Sequence, residues 1–234
     1  MMNIFRHSIV FILLLAGVQS FAQNPRDDAT HTITADVADP LVVSLDASKL
    51  DFGDVLPGAA KYIDAADGVA TVRSTSNLGN TNSSGLTGGE SRVVFKITGG
   101  PLTQYTYSLE VPRRLTDGAS NEMDIRFDKN QTSSSPSEQL NAYVVRYLGS
   151  SGNSISNNAD LSSASEASEA NEGSTTYSVT TSDNVTTWSR SGTTLNRNTS
   201  EETFLVLGGM ILPTSDQQPG TYTGDITLTF QVSN

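Results

Sequence analysis

The chain has no cysteine and little histidine, two residue types that many enzymes use for chemistry. Without cysteine there is no disulfide, no thiolate metal ligand, no cysteine nucleophile and no cysteine-linked lipid anchor. Only two histidines occur among the 234 residues. His7 lies in the leader described below, and His31 precedes the well-patterned strands, where a catalytic triad would lack rigid support. We therefore predict that the protein is not an enzyme, with no catalytic residue, no metal and no cofactor.

The first 22 residues are typical of a secretory signal peptide. Arg6 and His7 form a basic start, Ser8–Val18 is an apolar run, and Ser20–Ala22 has the small-x-small pattern of a cleavage site. A membrane anchor is the alternative, but the run is shorter than the roughly 20 residues that a membrane span needs. We expect cleavage after residue 22, no membrane span in the mature chain, and export to the periplasm, the cell surface or the extracellular medium.

Negative charge predominates over positive charge. The net charge is −11, and loss of Arg6 with the leader would make it −12. A surface this acidic repels nucleic acid and anionic lipid. We therefore expect no nucleic-acid partner, and we interpret the acidity as a means of keeping an exported protein soluble.

Alternation of apolar and polar residues is the main structural signal, and it is typical of antiparallel strands with one wet face. The alternating runs are Ile33–Val37, Leu41–Leu45, Val93–Ile97, Tyr105–Val111, Met123–Phe127, Tyr143–Tyr147, Phe204–Val206 and Ile226–Val232. Glycine and proline turn signals separate them. The pattern predicts an all-β, antiparallel, immunoglobulin-like sandwich that forms a single domain over residues 23–234. We expect Phe52, Phe95, Tyr107, Ile125, Phe204, Leu228 and Phe230 to share one core.

Residues 129–200 differ in composition, since roughly half of them are Ser, Thr or Asn. We interpret this stretch as a long polar insertion that carries one or two strands, Ala142–Leu148 and Thr175–Thr180. Leu161–Glu172 is either a short acidic helix or disordered. A second small domain is the alternative, but Trp188 is the only tryptophan available to form its core.

Three groups of residues were weighed as binding or catalytic sites. Asp124 and Asp128 lie on one face of a predicted strand, roughly 13 Å apart, which is too far for a glycosidase pair, so we expect both to be solvated. Asp64–Gly68 resembles an acidic turn more than a calcium loop. The tyrosines could stack on a sugar, although their spacing favours core or cross-strand positions; they are Tyr105, Tyr107, Tyr143 and Tyr147.

Two glycine-containing segments resemble a known family when they are taken together. The first is Leu50–Gly58 (LDFGDVLPG), and the second joins Gly208–Pro213 (GGMILP) to Pro219–Gly224 (PGTYTG). This pairing resembles a family of bacterial exported proteins that is classed only as a domain of unknown function, with a Leu-x-Phe-Gly opening and a Gly-Gly-x-Leu…Gly-x-Tyr-x-Gly close. Met210 stands where that family usually has threonine or a small polar residue. The family in turn is similar to the immunoglobulin-type pilin subunits of chaperone–usher and spore-coat-type secreted pili.

The motif residues also have a structural interpretation without the family. Glycine permits backbone angles that other residues avoid, and Phe52 and Tyr222 are large enough to fill a core or a sandwich corner. The structural-motif residues are Phe52, Gly53, Gly58, Gly208, Gly209, Gly220, Tyr222 and Gly224.

The resemblance and the composition together favour a non-catalytic structural or adhesive surface protein, for example a subunit of a pilus-like or fimbria-like assembly. Its partners would be itself or related subunits, through strand addition. The candidate exchange segment consists of Thr32, Ile33, Thr34, Ala35, Asp36 and Val37; Pro40 separates it from the next run, and the alternative is that it forms the first strand of its own sheet. A secreted module that binds carbohydrate or another ligand is the second hypothesis, with glycans as partners, and a carboxylate hydrolase is the third.

Overall fold

Strands are the only regular elements that this computed structural model describes. The described residues are 42–47, 49–81, 88–99, 104–133, 135, 137, 139–148, 152–170, 177–194 and 201–233. They contain fifteen strands and no helix, and within them no helix is long and apolar enough to span a membrane. The all-β prediction is confirmed. The predicted signal peptide, His31 and the segment Thr32–Val37 lie outside the described residues.

The strand bounds are as follows. They are β1 (Val42–Ala47), β2 (Ala59–Ile63), β3 (Ala70–Ser74), β4 (Asn77–Thr81), β5 (Val93–Gly99), β6 (Gln104–Pro112), β7 (Arg114–Thr116), β8 (Glu122–Arg126), β9 (Ala142–Leu148), β10 (Ala167–Glu169), β11 (Ser178–Thr181), β12 (Val185–Thr194), β13 (Glu201–Leu207), β14 (Gly209–Leu212) and β15 (Thr227–Ser233).

The strands form three antiparallel sheets. The five-stranded sheet has the order β1-β5-β13-β9-β10, the four-stranded sheet β11-β12-β6-β15, and the six-stranded sheet β4-β3-β2-β14-β8-β7. Every pairing of strands within these sheets is antiparallel, with bulges in β1, β3 and β12. Alternating runs with one apolar face account for this arrangement, because such faces must pack against one another to leave water.

One main core joins all three sheets. Phe95 comes from the five-stranded sheet, Leu109 from the four-stranded sheet and Ile125 from the six-stranded sheet, and the three side chains belong to one buried cluster. Phe52 and Tyr107 lie in the same cluster, and Leu228 packs against it half-buried. The fold is therefore a β-sandwich, and five of the seven predicted core residues meet as expected.

Phe204 was wrongly assigned to that core. It is fully buried, but it lies on the opposite face of the five-stranded sheet, in a second cluster with Val94, Val145 and Leu161. The reason is the period of two along β13: Leu205 faces the main core, so Phe204 must face away from it. The side chain of Phe230 lies outside the described residues, although its backbone pairs with Tyr107.

Residues 129–200 contribute more to the fold than their composition predicts. β9 has the predicted bounds and lies inside the five-stranded sheet, and β12 lies inside the four-stranded sheet. Trp188 on β12 is buried in the main core beside Tyr177. The acidic helix predicted as one alternative at 161–172 is wrong for the described residues, where turns lead into β10.

Gly208 is the point where the chain passes from one sheet to another. It alone separates β13 in the five-stranded sheet from β14 in the six-stranded sheet. A Cβ atom there would lie 2.2 Å from the Ile63 carbonyl oxygen and 2.6 Å from Nδ2 of Asn141. The buried Asn141 side chain donates to the Ile63 carbonyl and accepts from the Ala65 amide. Only glycine fits this crossing, which explains the first glycine of the Gly-Gly pair.

Candidate functional site

Parts of the two resemblance motifs line one groove, although about 150 residues separate the motifs in the chain. The groove has a volume of about 690 Å³. Its walls are the segment 49–57, which follows β1, and the segment 217–226, which precedes β15. Its floor consists of apolar side chains around the six-stranded sheet, namely Leu115, Met123, Ile125, Phe127 and Ile211. The groove therefore offers an apolar floor between two walls of irregular backbone.

A buried lysine holds the first wall in place. Lys61 Nζ donates to the carbonyl oxygens of Phe52 (2.9 Å) and Asp54 (2.6 Å) and to Oε1 of Glu90 (2.8 Å). The side chain of Lys61 is 2 % exposed and that of Glu90 is 10 % exposed. Burial alone would raise the pKa of Glu90, but hydrogen bonds from Lys61 and from main-chain amides outweigh it and leave the pKa below its ordinary value. The ammonium group thus fixes the backbone of the wall with two of its donors and binds Glu90 with the third.

Gly53 lets this wall pass close to the next loop. Its φ is 58°, and a Cβ atom there would lie 2.5 Å from the Gly88 carbonyl oxygen. Its amide donates to Oδ1 of Asp51 at 2.9 Å, and this hydrogen bond is the main reason that the pKa of Asp51 is lowered. A larger residue at position 53 would be strained and would also clash.

Tyr222 organises the second wall. Its hydroxyl donates to the Gln218 carbonyl at 2.8 Å and accepts from Nε2 of Gln217 at 2.7 Å, while its half-buried ring packs against the main core. Thr223 exchanges two backbone hydrogen bonds of 2.9 Å with Thr116, which ties the wall to β7. The last strand starts at Thr227, later than the sequence pattern indicates. Residues 220–226 consequently form groove wall.

The motif residues thus fall into two groups. Phe52, Gly53, Gly220, Tyr222 and Gly224 line the groove. Gly224 admits Leu115 and Pro112 so closely that a Cβ atom would lie 2.9 Å and 3.1 Å from their side chains. The remaining three glycines lie elsewhere: Gly58 forms a turn with φ 72°, and Gly208 and Gly209 form the crossing between sheets.

The other sites weighed from the sequence do not come together. Asp124 is exposed, but Asp128 is buried, which corrects the prediction that both are solvated. The Asp128 carboxylate accepts hydrogen bonds from the amides of Asn130 and Ser137 and lies 3.5 Å from Nε of Arg126, so it anchors a loop.

The candidate tyrosines whose side chains the structure describes do not form a stacking platform. Tyr107 is buried in the main core, where its hydroxyl lies 2.6 Å from that of Tyr177. Tyr143 is buried in the second cluster, on the other face of the five-stranded sheet. The side chain of Tyr105 lies outside the described residues. The core interpretation of Tyr107 and Tyr143 is confirmed.

The acidic turn at Asp64–Gly68 surrounds a buried arginine. Arg92 donates to the carbonyl oxygens of Ala65 (2.7 Å), Ser156 (3.0 Å) and Ala159 (2.6 Å). Burial raises the pKa of Asp64, and the charge of Asp67 adds to this effect. Across the described part of the chain, no three acidic or histidine side chains lie together as a metal site would require.

Sequence reasoning missed that Lys96 is covered, because it lies in an alternating run at a position that looks solvent-facing. Lys96 alternates with Phe95 and Ile97, yet the loop 152–161 covers its face of the sheet. The available signal was Val94, an apolar residue on the same supposedly wet face of the run as Lys96. Two apolar faces on one strand indicate burial on both sides.

The groove lining contains no histidine, cysteine or serine. It offers main-chain groups, the amides of Gln217 and Gln218, the carboxylates of Asp51 and Asp54, and a large apolar floor. Such a surface can bind an extended segment or an apolar ligand.

Comparisons of the chain with protein-family models, with curated proteins and with solved structures found no match.

Proposed function

We propose that this protein is an exported, non-catalytic structural or adhesive subunit of the cell surface, of the immunoglobulin-like pilin type, and that it assembles through strand addition at the edge of β15. The observation that carries the proposal is the position of β15. It is an edge strand of the four-stranded sheet among the described strands, and it starts beside the groove. Its seven residues include no charge and no proline, and its pairing with β6 has no bulge. Natural edge strands usually carry a charge, a proline or a bulge that protects them against pairing with another chain.

The candidate donor has the matching pattern. Ile33, Ala35 and Val37 alternate with polar residues, as Leu228, Phe230 and Val232 do on β15. A strand added beside β15 would continue the apolar face of the sheet toward the groove, and main-chain hydrogen bonds would supply affinity.

The topology distinguishes a donor in the same chain from a donor in a second copy. Val42 pairs with Thr98 near the end of β5, and Ser233 pairs with Gln104 at the start of β6. Only four residues separate β5 from β6, so β1 begins at the end of the sandwich where β15 finishes. The groove lies at the other end, since its walls follow β1 and precede β15.

This arrangement sets the direction of any pairing within one chain. Val37 and Val42 can be at most about 18 Å apart, whereas a six-residue strand spans about 20 Å. An antiparallel pairing within one chain would put Val37 beside Thr227, a full strand length from the end where Ser233 lies, so a pairing of Thr32–Val37 with β15 of the same chain would have to be parallel. A second copy is free to pair antiparallel, as all the described strand pairs do, and antiparallel pairing is the more stable kind. This difference favours exchange between copies.

Engineered cysteines test the proposal without interference, since the chain has none of its own. One variant carries Thr34→Cys in the donor segment, and the other carries Thr229→Cys on β15, where the side chain is exposed. We expect mixing of the two single variants under oxidising conditions to give a disulfide-linked dimer. Thr180→Cys is the control, because Thr180 is an exposed residue on β11, the opposite edge of the same sheet. A disulfide found only inside the double-variant monomer would show that the segment belongs to its own sheet.

A module that binds an apolar or glycan ligand is the second candidate, and the size of the groove favours it. Its volume of about 690 Å³ lies within the range of roughly 300–1,000 Å³ that is usual for small-molecule sites. Tyr222 would then be the aromatic contact in place of the buried tyrosines. Retention of the mature protein on a glycan column, lost with Tyr222→Ala but kept after deletion of residues 23–39, would favour this candidate over strand addition.

A further inference from the structure

A lysine, a glutamate and an asparagine meet on the outer face of the five-stranded sheet, and none of the three lines the groove. Lys96 lies on β5, Glu202 lies on the neighbouring β13, and Asn153 lies between β9 and β10. Lys96 Nζ is 2.9 Å from Oε1 of Glu202, and Nδ2 of Asn153 is 2.8 Å from Oε2 of the same carboxylate. Lys96 Nζ also donates to the main-chain carbonyl of Asn153 at 3.0 Å. One carboxylate therefore holds the amine and the amide side by side.

The surroundings keep most water away from these groups. The side chain of Glu202 is 7 % exposed and that of Lys96 is 17 % exposed. Lys96 Nζ lies 5.3 Å from the centre of the Phe204 ring, and the ring of Tyr147 packs edge-on against Phe204. The amides of Gly152 and Asn153 donate to the two Glu202 oxygens at 3.0 Å and 2.9 Å. The loop is thus fixed with the Asn153 side chain beside the lysine.

We propose that this constellation is a site of self-modification, at which Lys96 and Asn153 become joined by an amide bond. Lysine amines are nucleophiles toward carbonyl carbon once they lose a proton. The Lys96 nitrogen attacks Cγ of Asn153, the new C–N bond forms, and the bond from Cγ to Nδ2 breaks. Starting from the Lys96 ammonium, the products are a secondary amide between the two side chains and one ammonium ion. The reaction is a transamidation without oxidation or reduction, so it needs no co-reactant.

Glu202 is the general base and then the general acid of this reaction. Its carboxylate takes one proton from the Lys96 ammonium before the attack and gives it to the departing Asn153 nitrogen; both nitrogens are already within hydrogen-bond distance of Glu202. The second proton, which leaves the Lys96 nitrogen as the secondary amide forms, is carried away by the released ammonia as ammonium. Although burial alone would raise the pKa of Glu202, hydrogen bonds from Lys96, Gly152 and Asn153 lower it to about 2. Glu202 is therefore ionised but only a weak base, which makes the reaction slow. A slow rate is sufficient because the bond forms once in each molecule.

The bond would replace the covalent support that the missing cysteines cannot supply. It joins two positions that are 57 residues apart and ties the loop that covers the second cluster to the middle of the five-stranded sheet. Cross-links of this length restrict the unfolded chain and so stabilise the fold. The inference does not depend on strand addition.

Mass spectrometry of the full-length mature protein tests the proposal. We expect the intact mass to fall below the sequence mass by one ammonia. Trypsin should leave Lys96 uncut, and a branched peptide should connect the segment that contains Lys96 with the segment that contains Asn153. Lys96→Arg, Asn153→Ala and Glu202→Gln should each restore the sequence mass.

Lys129→Arg is the matched control. Lys129 also contacts a carboxylate, that of Glu169, and lies 5.8 Å from the centre of the Tyr143 ring, but no asparagine completes a triad there among the described contacts. This variant should keep the loss of ammonia. If the folded wild-type protein retains its full sequence mass after prolonged incubation, the three residues are an ion-paired loop anchor only, and the proposal is overturned.

Discussion

Lys61 and Glu90 form an ion pair of 2.8 Å beneath the first wall of the groove. The lysine also binds the carbonyl oxygens of Phe52 and Asp54, so the pair connects β2, the wall and the segment before β5. The groove therefore has a wall that is fixed before anything binds to it. A preorganised wall lowers the ordering cost of binding.

Loss of one partner from this pair should be strongly destabilising. We expect Lys61→Met to lower the free energy of unfolding by about 3–5 kcal/mol, because it leaves a buried carboxylate without its counter-ion. The double variant Lys61→Met with Glu90→Gln should recover part of the loss. Urea unfolding of the three proteins measures this. Equal stability of the single and double variants would show that the two side chains are not coupled.

The same pair should make the protein sensitive to acid. The folded-state pKa of Glu90 lies below its ordinary value of 4.5. Its stabilisation is therefore complete above that value and is lost as the pH falls through the lowered pKa of the folded state. We expect the stability difference between wild type and Glu90→Gln, measured by urea unfolding, to be large at pH 7 and to shrink below about pH 4.5. A difference that is constant from pH 7 to pH 3 would contradict the ion-pair assignment.

Asp64 should show the opposite sign. Burial raises its pKa above the ordinary value of 3.8, so the folded state binds the proton more tightly than the unfolded state does. Its charged form therefore opposes folding near neutral pH, and this penalty disappears as the pH falls. Asp64→Asn should be more stable than wild type at pH 7, and the two proteins should converge in acid. A variant less stable than wild type at every pH would show that the carboxylate's hydrogen bond to the Ala66 amide dominates.

The glycine at the crossing between sheets should tolerate no side chain. We expect Gly208→Ala to cost at least about 1–3 kcal/mol, the range for overpacking a core, because backbone atoms of Ile63 and Ala65 block the Cβ position. Gly118→Ala is the control. Gly118 has φ 77° but no atom within 4 Å of the Cβ position, so its substitution should cost only about 1–2 kcal/mol of conformational strain. A smaller effect at Gly208 than at Gly118 would mean that the crossing can relax.

Trp188 should be important for the stability of the whole fold, although it lies in a polar segment. We expect Trp188→Ala to cost about 3–5 kcal/mol, because its ring is buried in the main core. Val179 pairs with Trp188 across the hairpin but is 41 % exposed. Val179→Ala should therefore change stability by less than about 0.5 kcal/mol. Circular dichroism during denaturation measures the stability of both variants. An unchanged midpoint for Trp188→Ala would show that residues 129–200 are a peripheral insertion and not part of the main core.

The fold class follows from the sequence because alternation is a local property. Met123–Phe127 alternates strictly, and the bounds of β9 coincide with the predicted Ala142–Leu148. Glycine in the sequence also indicates positions where the backbone is left-handed, as at Gly53 and Gly58. Such signals depend only on neighbouring residues, so they can be recognised without knowing which residues pack against the strand.

What covers each face of a strand was decided only by the tertiary structure. Alternation shows that the two faces of β5 and β13 differ, but it does not show that the loop 152–161 buries Lys96, Glu202 and Phe204 on the second face. The groove likewise arises because β-sheet pairing brings Phe52 and Tyr222 against a common floor. Contacts between residues so far apart in the chain produce no periodic pattern in either segment. The reason is that each segment packs against a surface formed by residues elsewhere in the sequence.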